Sequence, residues 1–174
     1  MPRIDCKRYD EKSNLQGVDS MNEEMMFRQW KTWRAMIIRL LDKVSEEEAD
    51  QMPAPFRNSI RWNAGHLVTG IDGFVARSLD SEPLLPARYA ELFASGTSPA
   101  NWQGDVPSLE ELKQALAEQP NQIENTTAGK LDSKLLEPFL GMETLGEVLA
   151  FMIAHDALHL GTMSAIRKTT RASA

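Results

Sequence analysis

Apolar residues in the first third of the chain recur at steps of three and four. Met26, Trp30, Trp33, Ile37, Leu40, Leu41 and Val44 line one side of a helical wheel, which is the period of an amphipathic helix rather than a strand. Ser20 and Glu23 stand as a capping box ahead of it, and a second Ser-x-x-Glu box, Ser45 to Glu48, opens a short turn that Pro53 and Pro55 stop. The next helix begins at Asn58 or Ser59 and carries Ile60, Leu67, Ile71, Phe74, Val75 and Leu79 at helical spacing. Gly65, Gly70 and Gly73 interrupt it, each at a cost of up to about 1 kcal/mol relative to alanine. Such glycines mark close packing, a ligand at the backbone, or mere tolerance. A long connection from Asp80 to Pro107 holds one short helix around Ala87 to Ala94. Ser108 and Glu111 cap a third long helix, which Pro120 is expected to kink or split. Leu131 to Gly141 reads as a second irregular connection. Thr144 and Glu147 cap the last helix, whose Leu145, Val148, Leu149, Met152, Leu158, Met163 and Ile166 form a broad apolar face. Arg167, Lys168 and Arg171 follow, where the negative end of a helix dipole favours cations. No segment alternates with period two long enough to predict a strand. The pattern predicts an all-α protein: a four-helix bundle with long irregular connections and one or two short extra helices. Residues 1–19 show no period and read as a flexible N-terminal arm before a bundle domain over residues 20–170.

Composition narrows the function without naming it. A chain of 174 residues with 42% hydrophobic and 25% charged residues is long enough for one domain that needs no disulfide or metal merely to hold its core. Its net charge of −6 counts against a nucleic-acid binder, because neutralising phosphates takes clustered Lys and Arg. The single cysteine, Cys6, excludes an internal disulfide framework and fits a reducing compartment. No apolar run approaches the roughly 18 residues of a membrane span, and the polar start is no secretory signal. These features lead to the expectation of a cytoplasmic protein with neither nucleic-acid nor membrane partner. The chain has no Gly-rich phosphate loop, no G-x-S-x-G elbow and no CxxC pair, so nucleotide hydrolysis, serine hydrolysis and dithiol redox chemistry find no support.

What remains is three histidines, His66, His155 and His159. His155 and His159 stand four apart on the last helix and so share a face, with Cβ atoms about 6 Å apart, close enough to meet one ion. The run His155-Asp156-Ala157-Leu158-His159 superficially resembles the zincin signature, but Asp156 stands where a zincin carries its general-base Glu and is one methylene short. An i, i+4 pair can equally be packing or surface. Against that, both residues sit among Phe151, Met152, Ile153, Leu158, Leu160 and Met163, where an unpartnered imidazole is costly to bury. If the second and last long helices pack together, His66 joins the pair and leaves open coordination positions, as in catalytic rather than structural sites. Spacing alone leaves both readings open.

Ser59-Ile60-Arg61-Trp62-Asn63-Ala64-Gly65-His66-Leu67 resembles the corresponding helix of the DinB/YfiT-like family. Thr144-Leu145-Gly146-Glu147-Val148, followed by His155-Asp156-x-x-His159-x-Gly161, resembles its last helix, where H-E-x-x-H-x-G-Q is the usual form. The likeness extends from about Ser20 to Lys168. It implies a bacterial four-helix bundle with a divalent metal ion, nickel or zinc, on His66, His155 and His159, and a homodimer. Asp156, Leu160 and Thr162 depart from the family's usual Glu, basic residue and Gln, which bears on the ligands' surroundings and the substrate more than on the metal. Relatives include transferases and isomerases that use low-molecular-weight thiols such as bacillithiol, mycothiol or glutathione. The resemblance therefore implies transfer of such a thiol to a small electrophilic substrate. A metal-dependent hydrolase and a non-catalytic dimeric metal- or small-molecule-binding module stand as alternatives.

Asn63 and Asp156 are the further catalytic candidates. Asn63 could orient a ligand or a water. Asp156, turned about 100° from His155, could accept the second N–H of a ligand histidine or simply pair with a neighbouring helix. Trp62 reads as core wall or substrate stack, Thr162 as a pocket-lining residue, Met163 as core. Arg61 and Arg77 could meet an anionic substrate or lie at the surface, and the Trp30–Trp33 stripe reads as core or dimer seam.

Overall fold

A computed structural model describes residues 23–172. The proposed N-terminal arm, Ser20 with its half of the first capping box, and Cys6 lie outside the described residues. Six helices, a short 3₁₀ turn and one hairpin follow in order. Helix α1 spans Glu23–Leu41, α2 Glu46–Ala49, α3 Ile60–Ser78, α4 Ala87–Phe93, α5 Leu109–Thr127 and α6 Leu145–Ala172; strands β1 and β2 span Lys134–Phe139 and Met142–Thr144. Short-range chemistry sets the boundaries. Ser59 Oγ accepts the amide N–H of Trp62 at the start of α3, and Ser108 with Glu111 forms a complete capping box at α5. Glu147 Oε2 accepts the Thr144 N–H at 2.9 Å, and Thr144 Oγ1 accepts the Glu147 N–H at 3.3 Å, at the start of α6. The four long helices form a ring in which α1 packs on α5 and α6, and α3 packs on α5 and α6. This is the bundle expected.

Each of two expectations fails in part. Pro120 does not split α5, which runs unbroken from Leu109 to Thr127. The connection after Leu131 is not irregular throughout, because β1 pairs antiparallel with β2. The link between them, Leu140 and Gly141, has φ of 51° and 83°, the left-handed conformations that a two-residue hairpin loop needs. Both strands lie at the surface, with Leu136 91% exposed. Only Leu135 and Phe139 of β1 and Met142 at the start of β2 turn inward, half-buried against the core, and Leu136, Glu137 and Pro138 between the first two are exposed, so the pattern carries no sustained alternation.

The bundle interior divides into two apolar clusters. One holds Ile37, Leu41, Ile60, Leu67, Phe93, Leu112, Leu116, Met163 and Ile166. The other holds Met26, Phe27, Trp30, Ile71, Phe74, Ile123, Val148, Leu149 and Met152. Each fully buried side chain of this kind contributes about 1.5–3 kcal/mol. Between them, at mid-height, lies a polar layer to which every long helix contributes. Arg34 of α1, Gln119 of α5 and Asp156 of α6 are all at most 2% exposed, and α3 offers the carbonyls of Leu67 and Val68 to Arg34 and Gln119.

Helix α6 has the length and mean hydropathy of a membrane span, contrary to the first reading. It packs against α1 and α3 and contributes Met152, Ile153, Met163 and Ile166 to the two clusters, the place of a core helix. Leu158 departs from the apolar face assigned to it and is 67% exposed, because it lies about 160° round the helix from the buried Asp156.

Candidate metal centre

The packing of α3 on α6 brings His66, His155 and His159 together, with one nitrogen of each lying within 4.8 Å of the others. His155 Nε2 and His159 Nε2 are 3.1 Å apart. Two imidazole nitrogens on one zinc ion, at about 2.0–2.1 Å each, stand about 3–3.4 Å apart for tetrahedral or octahedral angles. The pair has that spacing. All three side chains are half-buried, shielded but reachable.

The hydrogen bonds decide which nitrogens are free. Asn63 is 2% exposed, and its Nδ2 donates to the Ser59 carbonyl at 2.7 Å. That bond fixes the amide, so Oδ1 faces His159 Nδ1 at 2.7 Å and must accept its N–H. A neutral His159 therefore presents a bare lone pair at Nε2. His66 Nδ1 lies 2.8 Å from the Phe93 carbonyl, which can only accept, so His66 also keeps Nε2 bare. Phe93 reaches that point because residue 65 is glycine: a Cβ there would stand 2.4 Å from the Phe93 ring. Gly65 is thus a close-packing glycine, whereas a Cβ at Gly70 would meet open space. The Trp62 ring stacks on His66 at 4.7 Å between centroids and 9° between planes, and Phe151 flanks His155 at 6.2 Å.

Electrostatics hold the cluster neutral. Burial brings His155 down to about 4, helped by His66 and the positive charge of Arg34. Burial likewise brings His159 down to about 3, helped by His155 and His66. His66 is lowered by burial against the opposing bond to Phe93. Three neutral imidazoles are the donor set that a divalent ion such as zinc or nickel takes: none carries a second proton at neutral pH, and only the N–H that His155 donates to His159 Nε2 would have to move to the other ring nitrogen of His155. The residues present fit the group.

Asp156 is not where the histidine-partner reading put it. It is 1% exposed, and its Oδ2 accepts from Arg34 Nε at 2.5 Å and Trp30 Nε1 at 2.9 Å. The physical reason is the helical step: beside a site-facing His155, residue 156 faces α1 instead. Burial pushes the Asp156 carboxyl up and the Arg34 guanidinium down, and each opposes the other's shift. Because the guanidinium keeps its proton, the two stand as an ion pair. The bond to a ligand histidine foreseen for Asp156 is made by Asn63. Arg61 is not a surface residue, and its guanidinium is paired within the fold. It is 5% exposed and pairs with Asp50 at 2.6 Å and Glu46 at 2.6 Å. Thr162 turns its hydroxyl back to the Leu158 carbonyl, Met163 is core, and Arg77 is exposed. Arg34 escaped sequence reasoning, although its place in the apolar register of α1, between Trp30 and Ile37, is the signal that could have found it. A groove of about 730 Å³ lies elsewhere, between α2 and the end of α6, lined by Ser45, Glu48, Met52 and Arg171 among others. It holds no histidine, and the donor chemistry makes the histidine cluster the stronger candidate.

A family model described as the DinB superfamily matches residues 29–163. Among solved structures, a conserved protein from Enterococcus faecalis superposes with a TM-score of 0.61 at 18% identity, covering 84% of this chain and 95% of that one. At that identity the likeness concerns the fold. No curated protein matches the chain.

Proposed function

We propose, because the chain belongs to the DinB superfamily and gathers its three histidines into one group, that it is a metal-dependent enzyme joining a low-molecular-weight thiol to a small electrophile. The observation that carries the reading is the convergence of His66, His155 and His159 with the Nε2 atoms of His66 and His159 held unprotonated. Overall, a thiol R–SH and an electrophile R′–X give R–S–R′, X⁻ and a proton: the S–C bond forms as the C–X bond breaks, and the proton leaves to solvent. A bound divalent ion supplies Lewis acidity, lowering the pKa of a coordinated thiol.

The chain's own groups do the rest. His66, His155 and His159 act as the neutral donors. Asn63 and the Phe93 carbonyl hold His159 and His66 in the right tautomer and plane, the usual task of groups behind a ligand histidine. Trp62 and Phe151 shield two of the rings from water. Neither Asp156, spent on Arg34 and Trp30, nor the amide of Asn63 is placed to act as a general base, so the reading assigns no proton acceptor in the protein. A thiol substrate and the lone cysteine support a cytoplasmic setting. By the family resemblance it works as a homodimer, against which a single species of 19.5 kDa in light scattering would count.

The test is a panel of thiols, bacillithiol, mycothiol and glutathione among them, each offered with an electrophilic acceptor to protein loaded with nickel or zinc. The reading expects acceptor consumption only when both thiol and metal are present. Consumption that continues without thiol favours hydrolysis, and none under any loading leaves a binding module.

A further inference from the structure

The polar layer at mid-height meets the histidine cluster through one residue. Arg34 bonds Asp156 through Nε at 2.5 Å and the Leu67 carbonyl through Nη2 at 3.2 Å. Asp156 follows His155, and Leu67 follows His66. A single guanidinium on α1 thus ties together the positions next to two of the three histidines, reaching α3 diagonally across the ring of helices. Trp30 Nε1 adds a second donor to Asp156, and Arg34 Cζ lies 5.2 Å from the Trp30 ring centre. His66 and His159 have acceptors of their own at Nδ1, namely Phe93 and Asn63. Among the described residues, His155 has only the contact to His159 and its ring neighbours.

We propose that Arg34, with Asp156, is a positioning residue that sets the rotation and height of α6 against α3 at His155, and so completes the metal site. This deepens the function proposed above and rests on it for the metal. Stability is a poor rationale for the pair. A buried ion pair exchanged for apolar groups of similar volume often leaves a protein as stable or more so, and Arg34 Nη1 is buried without a partner among the described residues. What an apolar exchange removes is directionality: two bonds, at fixed angles, to the turns that carry His66 and His155.

The experiment compares the wild-type chain with Trp30→Phe/Arg34→Met/Asp156→Leu, which removes the charges together with the indole N–H that needs Asp156. Circular dichroism and a thermal melt establish folding. Cobalt(II), added to metal-free protein against a competing chelator, is the affinity probe, and ¹⁵N spectra of the imidazoles in metal-free protein report tautomers. The proposal expects a folded variant that binds cobalt(II) at least tenfold more weakly. In the wild type His155 donates its Nε2–H to His159 Nε2; in the variant its signals average over tautomers while His159, still held by Asn63, keeps Nδ1–H. A folded variant with wild-type His155 signals overturns the proposal, whatever its cobalt affinity. If the triple variant does not fold, Arg34→Lys replaces it: it keeps the charge beside Asp156 but cannot also span to Leu67, and the same His155 averaging is expected, with unchanged signals again overturning the proposal. Failure of the wild-type chain to bind cobalt(II) defeats the proposed function instead, and the metal-free spectra still decide the role of Arg34.

Discussion

Asn63→Leu isolates the contact that sets the tautomer of His159. Leucine has the same branching but is bulkier, and the site is 2% exposed, so it leaves no cavity and its methyl groups must push Ser59 and His159 aside. Two bonds disappear, one to the Ser59 carbonyl and one to His159 Nδ1, each 2.7 Å long. The Ser59 carbonyl keeps the backbone N–H of residue 63, so its loss is small. His159 is left with a half-buried Nδ1–H and no acceptor. A lost hydrogen bond of this kind costs about 0.5–1.5 kcal/mol net, which the gain in apolar burial partly offsets. With the overpacking, which costs about 1–3 kcal/mol, the metal-free protein should lose about 2 kcal/mol, or roughly 4–8 °C in a chain of this length. Metal affinity should fall by much more than that implies. Freed from Asn63, His159 can take the opposite tautomer and turn its lone pair away, and removal of such a partner weakens metal binding about 10–100-fold, or about 1.4–2.7 kcal/mol. The assay is a zinc titration against a chromophoric chelator beside a melt of metal-free protein. Equal zinc affinity in a folded variant would refute the argument that Asn63 prepares His159.

Three further outcomes follow from the same contacts. Gly65→Ala puts a Cβ 2.4 Å from the fully buried Phe93 ring; overpacking of this kind costs about 1–3 kcal/mol, and displacing Phe93 should also weaken metal binding, so a melt and a zinc titration should both move. Arg61→Met removes the buried cation that ties α3 to Asp50, Glu46 and the Pro107 carbonyl. Because both carboxylates are about half exposed, we expect a loss of about 2 kcal/mol, or roughly 4–8 °C, with metal affinity little changed. The histidines also predict a pH dependence for metal-free protein. Their folded values, about 4 for His155 and about 3 for His159, lie below the unfolded value of about 6.5, so the unfolded chain binds more protons in between. Stability should be at its full value above about pH 6.5 and should fall steadily as pH drops towards 4. In urea melts between pH 7.5 and 5, above the carboxylate range, a folded His155→Phe/His159→Phe variant should show a flatter profile, and an identical slope would count against buried neutral imidazoles.

The parts of this protein legible in its sequence are those written at short range. Caps at Ser59, Ser108 and Thr144 sit three residues from their partners, the i, i+4 spacing of His155 and His159 is a property of one helix, and the apolar stripes name their own faces. The residues that escaped act across the bundle. Arg34 and Asp156 are 122 positions apart, and nothing local marks an arginine inside an apolar stripe as paired. Asn63 and Asp156 were both visible as companions of the histidines, yet only packing decides that residue 63 faces His159 while residue 156 faces α1. The β1–β2 hairpin leaves no period-two signal because only Leu135, Phe139 and Met142 of it turn half-buried towards the core, and Leu158 does not show its exposure because an apolar residue beside the histidines looks the same whether it covers core or faces outward.

The central claim is that His66, His155 and His159 hold one divalent ion. The most direct measurement is the metal content of the purified chain and of His159→Ala, by elemental mass spectrometry after gel filtration in a metal-containing buffer. The account predicts one nickel or zinc ion per chain in the wild type and a small fraction of that in a folded His159→Ala. Wild-type protein without stoichiometric metal, or a variant that retains it in full, would contradict the account.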